Sequence, residues 1–118
     1  MKQIYCFNTL ELVHTHDEKN VSKDVIFFKN RHKHILEIKT TMLLEDDETL
    51  DNYLFRKYIE QILSKVSFDI EKKTYEMLAK FVRNRVIEQF TNHNVIIDIK
   101  EDNNNGFVFN FDELEPNI

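Results

Sequence analysis

The spacing of apolar residues changes twice along this chain, and that change limits it to one fold class. Residues 3–16 and 25–43 have strand character, with side chains two positions apart sharing a face. Residues 49–66 and the stretch from Thr74 to Phe90 instead repeat every three to four positions, as amphipathic helices do. Val95–Glu101 and Phe107–Phe111 return to alternation. Between them Asn105-Gly106 predicts a hairpin turn, because both residue types adopt positive φ readily. The order is strand, strand, helix, helix, strand, strand. It predicts an α+β fold in which both helices cover one face of a four-stranded antiparallel sheet. No repeat or linker interrupts residues 1–118, so a single domain is expected.

Each segment also predicts which residues face inward. In the first strand, Cys6, Leu10, Leu12, His14 and His16 share one face and Tyr5, Phe7 and Val13 the other. Both faces are partly apolar, which suits burial on two sides. In the second, His32, His34, Leu36, Ile38, Thr40 and Met42 lie opposite Arg31, Lys33, Ile35, Glu37 and Lys39. The first helix carries Leu50, Leu54, Tyr58, Ile62 and Val66, widened by Phe55, Ile59 and Leu63, with Asp47 or Thr49 as N-cap. The second carries Leu78, Phe81, Val82, Val86 and Phe90, with Thr74 as N-cap and Glu76 in its first turn. Residues 17–24, the acidic run Glu45–Glu48 and Ser67–Lys73 read as connectors, and Asp112–Ile118 as a frayed acidic end.

Charge and cysteine content exclude several roles. The net charge of −5 opposes a nucleic-acid partner, since tracking phosphates requires a basic face. A short basic cluster, Lys29, Arg31 and Lys33, still suits a small anionic ligand. Cys6 is the single cysteine, so no intrachain disulfide forms, which fits a reducing compartment. No apolar run approaches the ~20 residues of a membrane span, and no signal-peptide core opens the chain. The expectation is a soluble, cytoplasmic protein without a membrane partner.

Four of the five histidines form two His-x-His pairs, His14/His16 and His32/His34. Residues two apart on a strand share a face, so each pair aims two imidazoles one way. Neutral imidazole is a preferred zinc ligand. Two rings from one strand and one from its antiparallel neighbour can meet around a metal, and register decides whether His14 or His16 is the third. The plainer alternative is polar strand ends facing water. His93 reads as a cap on the second helix's C-terminus rather than a metal ligand. The row Phe107, Phe109, Phe111 reads as core or subunit interface rather than a stacking platform.

This order, with a His-x-His at the head of strand two, resembles the tunnelling fold, and within it the 6-pyruvoyl- and 6-carboxy-tetrahydropterin synthases. Those enzymes hold zinc with one His ending strand one and two from an HGH motif, a pattern that His16-x15-His32-Lys33-His34 matches. Their Thr-x-Glu-x-x-Ala helix start is similar to Thr74-Tyr75-Glu76-Met77-Leu78-Ala79. Their Lys-Glu step, whose Glu grips the pterin ring, is matched by Lys100-Glu101. The resemblance implies that Glu101 anchors a heterocycle with Thr74 and Lys100 in the same site. It also implies a homo-oligomer, a trimer or hexamer, closed edge to edge. Where the family places its nucleophilic Cys, this chain has Phe28, and the central Gly of HGH is Lys33. The family's Asp-His segment shrinks to Phe68-Asp69-Ile70, leaving Asp69 without a His partner. Val25-Ile26-Phe27-Phe28 before the His-x-His resembles small phage-type members.

Three functions follow as expectations. The first is capture of a pterin- or purine-like nucleotide ligand without the family's full catalytic set. The second is an active zinc-dependent lyase of the synthase type. The third is a non-enzymatic phage-type oligomer that sequesters a nucleotide.

Overall fold

In the computed structural model, residues 1–14, 32–66, 75–101 and 105–111 are described; for 12–14 and 32–34 the description extends to the backbone only. The elements run β1 (Lys2–His14), β2 (His32–Leu44), α1 (Asn52–Ser64), α2 (Tyr75–Gln89), β3 (Val95–Glu101) and β4 (Gly106–Phe111). All neighbouring strands are antiparallel, in the order β1-β2-β3-β4. The α+β architecture expected from the periods is the architecture observed. The expected strand residues 25–31 lie outside the described residues.

Register turns the alternation into transverse rows. Ile4, Met42, Val95 and Phe111 stand side by side across the four strands, as do Cys6, Thr40, Ile97 and Phe109. Except for the half-buried Phe109, these residues are buried. Leu36, Ile38 and Ile99 extend the same buried face. Against it pack Phe55, Ile59, Ile62 and Leu63 of α1 and Leu78, Ala79, Val82 and Val86 of α2.

Two expectations about burial need correction. Tyr5 and Phe7 are each 48% exposed, so β1 is buried on one face, not two. Both helices lie on the even-numbered side of this edge strand, and no described element covers the other. Leu54 is 64% exposed, because the inward stripe of α1 centres on Phe55, Ile59 and Ile62. The N-cap also moves: Asp51, not Asp47 or Thr49, accepts the Leu54 N–H at 3.0 Å. Leu50 precedes this cap, partly buried against the core, so the apolar pattern starts before the helix does.

Gly106 does not have positive φ. It is required for space: a Cβ there would collide with the Ile99 carbonyl oxygen and lie 2.8 Å from Lys100 Cα. Glu101 N–H donates to the Asn105 carbonyl at 2.7 Å and closes the hairpin beside it.

Candidate functional site

The row after Asn8, Ile38, Ile99 and Phe107 is Leu10, Leu36 and Glu101. Beyond it, β1 and β2 continue as a two-stranded ladder, with Leu12 opposite His34 and His14 opposite His32. The three histidine positions therefore share one end of the sheet with Glu101. His34 sits two residues from Leu36, the register partner of Glu101. That step spans roughly 7 Å along a strand. His14 stands directly across from His32. His16 and Thr74 lie outside the described residues, as do Phe28, Phe68, Asp69 and Ile70. Among the described residues no group of three or more His, Cys, Asp or Glu side chains is arranged to hold a metal.

Glu101 is half-buried at the end of an apolar row. The Tyr75 hydroxyl donates to its Oε1 at 2.7 Å, the short distance typical of a charge-assisted bond. Tyr75 opens α2, so the helix start is tied to the end of β3. Its ring meets Phe107 edge to face, with centroids 6.1 Å apart and planes at 64°. Phe107 lies in the core-facing row of β4 but is 57% exposed. Phe109 follows it at 5.9 Å and Phe111 follows Phe109 at 6.3 Å, so exposure falls along the ladder into the core. The expected core or interface row is thus core at Phe111 and open at Phe107. Nothing local in the sequence marks Tyr75, whose hydroxyl finds its partner 26 positions along the chain.

Lys100 takes the opposite face from Glu101, as successive strand residues must. Its Nζ lies 3.6 Å from Glu37 Oε1, and both side chains are about half exposed. Lys100 and Glu37 help line a shallow hollow of about 370 Å³ on the helix-free face, together with Phe7, Lys39, Asp98 and Val108. Lys39 lies 4.8 Å from the Tyr5 ring centroid and 5.7 Å from that of Phe7, both within cation–π range. The structure brings Glu101, Tyr75 and Phe107 together, while Lys100 takes the opposite face, in the hollow that Phe107 also borders.

His93 occupies the capping position expected of it. Its Nδ1 lies 3.1 Å from the Phe90 carbonyl oxygen, just past α2. Its Nε2 lies 2.8 Å from Glu48 Oε2. Partial burial pulls the imidazole pKa down, but the bonds to Glu48 and to the Phe90 and Thr91 carbonyls outweigh it and hold the pKa above 6.5. Glu48 also accepts the Glu45 N–H at 2.9 Å, and the two bonds keep its carboxyl below 4.5. The acidic connector is therefore a built turn at Glu48, not simply a solvated run. Cys6 is buried, and desolvation pushes its thiol up to about 11, which removes it as a nucleophile near neutrality.

No known family model matches the chain, and no curated protein matches it. Among the described residues, no helix is long and apolar enough to cross a membrane.

Proposed function

We propose that this chain captures a pterin- or purine-like ligand, with Glu101 as the anchor, and lacks the catalytic set of the tetrahydropterin synthases it resembles. The observation that carries the reading is the position of Glu101: a half-buried carboxylate ending an apolar row, bonded by Tyr75, beside an exposed Phe107. A carboxylate has two oxygens that can accept paired N–H donors, as on the edge of a guanine or pterin. An aromatic wall beside it offers a stacking surface for a flat ring. Phe28 in the nucleophile's place and Ile70 in the histidine's place support capture over conversion.

Titration of the purified protein with pterin and with guanosine tests the reading. Micromolar binding that Glu101→Ala weakens by about tenfold or more is expected for a lost charged hydrogen bond. Failure of the wild type to bind any guanine- or pterin-type compound would sink it.

A second reading, an active zinc-dependent lyase, is supported by the register that opposes His14 to His32 and places His34 beside the Glu101 row. His32 and His34, with His14 or His16, would hold the metal. Zinc would supply polarisation of a substrate oxygen. Native mass spectrometry for bound zinc, together with turnover of dihydroneopterin triphosphate, separates the readings. Zinc without turnover keeps the metal site and removes the lyase.

A further inference from the structure

We infer that Tyr75 is a positioning residue for the Glu101 carboxylate, and that with Phe107 it selects flat heteroaromatic ligands bearing adjacent N–H donors on one edge. The inference rests on the reading of Glu101 as a ligand anchor. A glutamate at a strand end has free torsions, and its carboxylate plane is otherwise undefined. The Tyr75 hydroxyl, 2.7 Å from Oε1, pins one oxygen. A carboxylate accepts about four hydrogen bonds, so the phenol consumes one site and leaves both oxygens able to accept from a ligand.

Tyr75 is itself held at both ends. Its backbone begins α2, and its ring packs edge to face on Phe107. Phe107 belongs to the core-facing row of β4 and yet is 57% exposed, so aromatic surface is open beside the oriented carboxylate. Two parallel N–H donors gain fully from a carboxylate only when its plane is set beforehand. A ligand with a carbonyl in place of one donor meets acceptor with acceptor and gains nothing from that setting.

The experiment titrates pterin, and lumazine, in which a carbonyl replaces pterin's amino group, by fluorescence quenching against wild type and Tyr75→Phe. The variant keeps the ring and its packing on Phe107 and removes only the hydroxyl, and its thermal midpoint confirms folding. Expected are a wild-type preference for pterin and a loss of about fivefold in pterin affinity in Tyr75→Phe, the worth of one ordered side chain, with lumazine unmoved. An equal effect on both compounds, or none on either, overturns the role of Tyr75 while the Glu101 anchor stands. Wild-type protein that binds pterin and lumazine equally, or binds neither compound, overturns the Tyr75 assignment, and binding of guanosine in the titration above then decides whether the Glu101 anchor stands.

Discussion

Thr40 illustrates how a single atom can stand against its surroundings. It is fully buried between Cys6 and Ile97, and its hydroxyl has no hydrogen-bond partner among the described residues. A buried hydroxyl without a partner costs about 1–3 kcal/mol. Valine has nearly the same shape and no such atom. Thr40→Val is therefore expected to stabilise the protein by about 1 kcal/mol, read as a rise in the urea midpoint with an unchanged slope. A fall in that midpoint would show that the hydroxyl has a partner after all. The same scale explains why alternation placed Leu36, Ile38, Thr40 and Met42 on one face of β2, the buried one, but could not say that Thr40 would be stranded in it. Alternation reports a face; satisfaction of a hydroxyl depends on what the neighbouring strands present.

Between elements, the contact of His93 with Glu48 ties the connector after β2 to the C-terminal end of α2. His93 has its folded pKa raised above the ordinary 6.5, so its contribution to stability is full below that value and is lost as pH rises through the raised one. Glu48 has its folded pKa lowered below the ordinary 4.5, so its contribution is full above that value and is lost as pH falls through the lowered one. Both act fully between 4.5 and 6.5. His93→Gln is expected to lower the thermal midpoint by a few degrees in that window, with the gap narrowing above it. A gap that widens toward alkaline pH would contradict the charged pair. The helix-capping role of His93 was legible from its place just after an apolar stripe. Its acidic partner was not, because Glu48 lies 45 residues earlier and meets it only across the fold.

For the molecule as a whole, the sheet ends in two strands that each pair on one side only among the described residues, β1 and β4. Exposed strand edges invite pairing, and closure between copies removes them. Edge closure predicts a homo-oligomer, which the tunnelling-fold resemblance would make a trimer or hexamer, checked by light scattering at micromolar concentration. A monomer there would remove edge closure from the account and leave the Glu101 site untouched. Tyr5, Phe7, Ile35 and Val108, between 47% and 65% exposed, all lie on the helix-free face. Two-sided burial of β1 could not be judged from its apolar residues, since a half-exposed aromatic and a buried one look alike in a sequence.

Periodicity by itself determined the order of the elements, the antiparallel plan and most of the core, because the pleat and the helical turn impose their spacing locally, but it missed Ile4 and Leu44 and turned Leu54 inward. The His-x-His spacing marked the histidine pairs, and the resemblance to the tunnelling fold singled out Glu101. Only the tertiary structure decided the company they keep. Register set His14 across from His32 and Leu36 across from Glu101, and the packing of α2 on β3 delivered the Tyr75 hydroxyl to the carboxylate. Those pairings join residues far apart in the chain, and their geometry is fixed by how sheets and helices fill a common core rather than by any local preference.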